Sequence, residues 1–132
     1  MLAYSATSRA DPGTAWALIS RPALWHQWAP HLRGAVGLGA PEVEPGRIGW
    51  AWLAGVVPVP GAIVGKQPER SWTWRVGLLR VRHAVAPRAA GCEVRMELAA
   101  PWPLEPLLAV SYGPVVAILV RRLARIAEAT PA

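Results

Sequence analysis

The side chains in this sequence with chemistry to offer are three histidines, one cysteine and a set of paired tryptophans. His83 is the most telling, because a two-residue period sets Val81, His83 and Val85 on one face against Arg80, Arg82 and Ala84 on the other. An imidazole among apolar neighbours can serve as a general acid or base, or as the polar anchor of a pocket. Its commoner use is as a hydrogen-bonded core or rim residue. Trp50 and Trp52, and again Trp72 and Trp74, are two apart, so each pair shares a strand face. Such faces either stack on an apolar or aromatic ligand or fill a core. Met96 and Trp28 would join the same apolar lining, and Tyr112, just before Gly113-Pro114, can turn its hydroxyl inward or serve as a cap.

Other chemistries find little support. His26 and His31 flank Trp28, but Pro30 intervenes and no carboxylate ligand is near in sequence, so no metal site is expected. Cys92 is the single cysteine, which excludes an internal disulfide and a cysteine-based zinc site, and no activating neighbour adjoins it. No glycine-rich phosphate loop, nucleophile elbow or paired carboxylates are visible, and no cofactor is expected. Any catalysis would be of the kind a shaped apolar pocket promotes: holding a flexible chain in a near-attack fold while one or two polar groups assist enolisation or water loss.

Composition narrows the setting. A chain of 132 residues makes one domain, 1–132, with 53% hydrophobic residues, eight tryptophans and no phenylalanine. The net charge of +6 rests on thirteen arginines and one lysine, but these are scattered and no nucleic-acid reading motif accompanies them. Nucleic acid is therefore not an expected partner; a small hydrophobic molecule is. The first residues lack a basic start followed by an apolar run, so the cytosol is the expected compartment. Ile48 to Gly65 runs eighteen residues without a charge, long enough for a membrane helix by length alone. Pro58 and Pro60 near its middle, with Gly55, Gly61 and Gly65 around them, argue against a transmembrane segment.

The elements that must position these residues follow from pattern. Leu2 to Arg9 reads as an edge strand with Leu2, Tyr4 and Ala6 on one side. Asp11-Pro12 starts a helix, with Asp11 as N-cap, and Ser20 with Pro22 starts a second that Pro30 stops. From Arg33 to Ala100 the period is two, with turns at Glu44-Pro45-Gly46, Pro68-Glu69 and Pro87 to Gly91. Within it, Ile48 to Ala54 and Ala62 to Lys66 are expected as strands around a proline-glycine bend, with Ile48, Trp50 and Trp52 on the inner face. Cys92, Val94, Met96 and Leu98 alternate with Glu93, Arg95 and Glu97, which predicts a charged outer face with cross-strand pairs. From Leu104 to Ile126 apolar residues recur at three and four, predicting a long helix broken or kinked at Gly113-Pro114. The order is strand, two short helices, about six strands and one long helix.

That order, with Asp11-Pro12, Ala15-Trp16 and Trp28-Ala29-Pro30 near the start and Trp74, His83, Val85, Pro87, Gly91 and Val94 late in the sheet, resembles the polyketide cyclase/dehydrase and lipid-transport group of the START-like (SRPBCC) superfamily. The resemblance implies an α+β helix-grip (START/Bet v1-like) fold, a curved antiparallel sheet of about six or seven strands around a long C-terminal helix. It also implies a deep cavity between them, on whose concave wall Trp50, Trp52, Trp72, Trp74, His83, Val85 and Met96 would lie. The function implied is binding of a lipid- or polyketide-like molecule. The alternative is a cyclase/dehydrase-type enzyme with His83 as acid/base. Pro101, Pro103 and Pro106 depart from the family pattern near the expected entrance, predicting a narrower or stiffer mouth.

Overall fold

The computed structural model describes residues 1–53 and 57–131. Strand β1 (Leu2–Ser8) leads to α1 (Pro12–Ser20), a 3₁₀ turn (Pro22–Leu24) and the single-turn α2 (Trp25–Trp28). Then come β2 (Leu32–Val36), β3 (Ile48–Leu53), β4 (Val57–Gln67), β5 (Ser71–Val76), β6 (Leu79–Arg88) and β7 (Gly91–Ala99). Helices α3 (Leu104–Val110) and α4 (Gly113–Ala129) close the chain. All strand pairs are antiparallel, and the sheet order is β1-β7-β6-β5-β4-β3-β2. This is the helix-grip arrangement: one sheet wrapped over α4, with α1 and α2 packed into the concave side. No single helix among the described residues is long and apolar enough to cross a membrane.

Local chemistry explains the ends of these elements. Asp11 accepts the Gly13 N–H at 3.2 Å and Pro12 takes the first helical position of α1. Ser20 does not cap the following helix; it stays in the last turn of α1, where its hydroxyl donates to the Trp16 carbonyl at 2.7 Å. The C-terminal helix breaks as the glycine-proline pair predicts, with 58° between α3 and α4. Gly113 is also needed for space, since a Cβ there would fall on the Tyr4 hydroxyl. Helix α4 buries Val116, Leu119, Val120, Leu123, Ala124 and Ala127 and leaves Val115 and Ile118 exposed. The buried Ser8 hydroxyl ties β1 to it by donating to the Ala124 carbonyl at 2.9 Å.

Strands β6 and β7 match their alternation: Val81, His83 and Val85, and Cys92, Val94, Met96 and Leu98, are all buried. Their outer face carries Arg82–Glu97, Arg95–Glu97 and Arg88–Glu93 pairs at 3.4, 2.7 and 3.1 Å. Exposed pairs of this kind add at most about 1 kcal/mol each.

Strands β3 and β4 depart from expectation in two ways. The expected strand end at Ala54 and Gly55 of the expected bend lie outside the described residues. Pro58 and Pro60, however, are not in a bend but within β4, opposite Trp52 and Trp50. Strand β5 accompanies β4 only as far as Ala62, so beyond it β4 has one free side where a missing N–H breaks no ladder. The second departure concerns facing. Trp50 and Trp52 lie on the outer face, Trp50 being 45% exposed, while Ala51 between them is fully buried. Ala51 pairs with Val59, which lines the interior, and with Ala35; Trp50 pairs with the exposed Val36 and with Pro60. The inner face here is made of Gly49, Ala51 and Gly61; a side chain at Gly49 would run into the Val36 and Gly37 backbone, and at Gly61 the Trp74 indole from β5 takes the space. A Cβ on Gly61 would stand 2.7 Å from Trp74 Cε3. The expectation that Trp50 and Trp52 face inward is thus overturned, and an apolar patch of Val36, Ile48, Trp50, Pro58 and Pro60 lies on the sheet's convex side.

Candidate ligand-binding cavity

The site is built from the C-terminal end of α1 outward. The last four carbonyls of a helix have no partner within it. In α1 all four are satisfied, and indoles supply most of the donors. Arg21 N–H reaches Ala17 O at 3.2 Å, and Val43 N–H reaches Ser20 O at 2.8 Å. Trp28 Nε1 donates to Leu18 O at 2.8 Å, and Trp25 and Trp72 Nε1 both donate to Ile19 O, at 2.9 and 3.0 Å. Three tryptophans from α2 and β5 are thereby pinned around one helix end. Phenylalanine could fill the same volume but could not cap those carbonyls, and the sequence has none.

Pinning fixes an aromatic wall. Trp25 stacks on Trp72 with centroids 5.5 Å apart and planes 7° from parallel. His83 stacks near Trp72, 4.3 Å away at 19°, and meets Trp28 edge-on at 6.3 Å. Trp74 leans against both Trp25 and Trp72, at 6.0 and 6.2 Å. Opposite this wall stand Leu108 of α3, Tyr112, and Val116 and Leu119 of α4; Val59, Val76, Leu79, Val81 and Met96 form the sheet floor, with Ala29, His31 and Leu32 at the α2 side. Between them is a cavity of about 300 Å³. No Asp, Glu, Lys or Arg among the described residues lines it.

Burial sets the protonation of the polar groups. Desolvation lowers the His83 pKa from 6.5 to about 3, so the ring is neutral at physiological pH. Desolvation also lowers His31, and it raises Tyr112, which keeps its phenolic proton. The Cys92 thiol is pushed up first by burial and then by Asp11 and Glu128, which keeps it in the unreactive protonated form.

Of the residues singled out in the sequence, Trp28, Trp72, Trp74, His83, Met96 and Tyr112 come together around this cavity. Trp50 and Trp52 do not. His26 sits at a separate surface hollow beside Arg21 and Pro41. Sequence reasoning missed Trp25, whose spacing of three from Trp28 was the available signal, and Val59, which lies in the proline-containing stretch. It also missed His31, which lies between α2 and β2, and Leu32, the first residue of a strand too short to show its period.

Comparison with known proteins agrees with this architecture. The family model described as polyketide cyclase / dehydrase and lipid transport matches residues 2–129. No curated protein matches the chain by sequence. Among solved structures, a protein from Mesorhizobium loti superposes with a TM-score of 0.78 at 13% identity, covering 99% of this chain and 98% of that one. A protein from Nitrosomonas europaea gives 0.77 at 14%, covering 97% and 94%. A START superfamily protein from Mycobacterium smegmatis gives 0.69 at 13%, covering 97% of each chain. At such identities the likeness establishes the START-like fold.

Proposed function

The chain belongs to the polyketide cyclase / dehydrase and lipid transport family, and from that premise we propose that it binds one small hydrophobic or aromatic molecule in the cavity between sheet and α4. The observation that carries this reading is the cavity itself: about 300 Å³ of space, walled by stacked indoles and lined by no charged side chain among the described residues. That volume is at the lower end of ligand-sized pockets, which favours a single compact molecule over a two-chain lipid. Trp28, Trp72, Trp74 and Met96 act as walls, and His83 and Tyr112 as polar contacts.

Binding is favoured over catalysis by the state of His83. A general base works best with a pKa near the operating pH, and desolvation holds this one at about 3. A ring so reluctant to take a proton serves better as a neutral hydrogen-bonding group than as the acid/base of a cyclase.

Native mass spectrometry of the purified protein before and after organic extraction tests the proposal, alongside tryptophan fluorescence during addition of lipids and polycyclic aromatics. A co-purifying apolar mass, or saturable quenching at micromolar concentration, is expected. The variant Leu119→Trp, which fills the cavity from α4, is expected to abolish the quenching. No bound mass, together with identical responses from wild type and the filled variant, would refute the reading.

A further inference from the structure

Among the described residues, large apolar side chains left in water gather mainly in two places. One is the convex patch around Ile48 and Trp50, where the neighbouring cation, Arg47, is already paired with Glu44 at 2.9 Å. The other is the end of the molecule where β5 turns into β6 and β7 leads to α3. There Leu78 of the turn, Trp102, and Leu107 and Val110 of α3 are exposed, and Val115 and Ile118 continue the stripe along the outer side of α4. Leu78 and Leu107 line one surface hollow, which joins the turn to α3. Trp102 is 82% exposed and Val110 79%, so packing within the chain accounts for neither. Apolar surface of this kind commonly marks an interaction site. Helices α3 and α4 together have the apolar length of a membrane span, but they are bent by 58° and α4 is committed to the core along one side, which suits lying on a bilayer and not crossing it.

The free charges around this end are of one sign. Arg75 and Arg80, both exposed, stand directly opposite each other where β5 turns into β6, a placement in which like charges repel. Arg80 is also opposite Ala99, three residues before Trp102. On the other flank Arg121 and Arg125 share a surface hollow with Ile118. None of these four arginines forms an ion pair among the described residues, whereas Arg47, Arg82, Arg88 and Arg95 all do. The one carboxylate of α3, Glu105, is turned to the Met1 amino group and the Ala100 N–H.

We propose that this end of the molecule docks on the surface of an anionic lipid bilayer: Trp102, Leu107 and Val110 enter at the level of the headgroups while Arg75, Arg80 and Arg121 meet lipid phosphates. An indole suits that level, with an apolar ring and an N–H for water or a headgroup. Apolar burial and attraction to anionic lipid act together in such docking, so removing either should weaken it. The inference stands apart from the cavity reading, since none of the residues changed in its test lines the cavity.

Co-sedimentation with vesicles of phosphatidylcholine, alone or with about one-third phosphatidylglycerol, tests it. Wild type is expected to bind the mixed vesicles at least about tenfold more tightly than the neutral ones. The double variant Trp102→Ser, Val110→Ser should lose about tenfold or more on the mixed vesicles. Arg75→Gln with Arg80→Gln should lose about fivefold for each arginine. Arg9→Gln with Arg70→Gln removes the same charge at the opposite end of the sheet, beside Ser8 and Ser71, and should change binding by less than about twofold at physiological salt. All the substituted side chains are exposed, and matching thermal melts establish that each variant is folded. Brominated lipid should quench part of the wild-type tryptophan emission, and that part should be missing in Trp102→Phe. Four results would each overturn the inference: no binding of wild type to the mixed vesicles; an equal loss from the Arg9 and Arg70 pair; full binding by Trp102→Ser, Val110→Ser; or a dimer in sedimentation that Val110→Ser dissolves, which would give this face to a second copy of the chain.

Discussion

Acidification should expose the cost of keeping His83 in an apolar core. In the folded protein the ring stays neutral until its pKa of about 3, whereas in the unfolded chain it takes up a proton near 6.5. Between those values the unfolded state binds more protons, so stability is full above 6.5 and is lost as pH falls toward 3. Integrating that difference from about pH 7.5 to about pH 5 gives a loss of about 2 kcal/mol from this one residue. For a chain of this size that lowers Tm by roughly 8 °C. Urea unfolding followed by circular dichroism across this pH range measures it, with His83→Gln as reference. Glutamine keeps a polar side chain of similar reach without titrating, and every carboxylate common to both proteins cancels in the comparison. Wild type should lose about 2 kcal/mol more than His83→Gln over the interval. Parallel pH profiles for the two proteins would refute the reasoning, because they would mean that His83 is protonated, or already hydrated, in the folded state.

The remaining predictions concern the indoles and their neighbours. Trp28→Phe removes the only side-chain donor among the described residues to the Leu18 carbonyl and should cost about 1–3 kcal/mol in chemical denaturation, whereas Trp72→Phe leaves Ile19 O its bond from Trp25 and should cost less through that bond. Trp50→Ser lies outside the cavity and should leave the affinity for a polycyclic aromatic probe unchanged within about twofold, while lowering binding of a hydrophobic surface dye. Gly61→Ala drives a methyl group to 2.7 Å from Trp74 Cε3, and should destabilise the fold by about 1–3 kcal/mol and alter near-ultraviolet circular dichroism, since the indole has to shift.

Much of the fold was written in local pattern. The Asp11-Pro12 helix start, the strict alternation from Gly91 to Ala99 and the break at Gly113-Pro114 are each decided by a few neighbouring residues, and each stands where expected. The facing of β3 was not legible, because the parity rule puts large apolar residues inside and small ones out. Here Ala51 and Gly49 face inward and two tryptophans outward: the β2 backbone crowds Gly49, and the space over Gly61 on the paired strand is taken by Trp74, an indole from more than twenty residues beyond Ala51. Likewise Pro58 and Pro60 read as a bend until the sheet shows that β5 has ended before reaching them.

The cavity wall was half legible for a related reason. Strand parity placed Trp72, Trp74 and His83 together correctly, but it treated the tryptophans as interchangeable flat surfaces. The hydrogen bonds distinguish them. Trp25, Trp28 and Trp72 are committed to the end of α1, so moving any of them to meet a ligand would orphan a buried helix carbonyl or weaken its capping. Trp74 has no hydrogen-bond partner among the described residues and lies in contact with Gly61 and with neighbouring rings. A wall whose indoles are committed to a helix end is one whose shape is set by the protein and not by the guest. In Trp74→Phe, which removes no hydrogen bond of the frame, the cavity should therefore keep its shape, whereas in Trp28→Phe the frame that supports the wall is weakened.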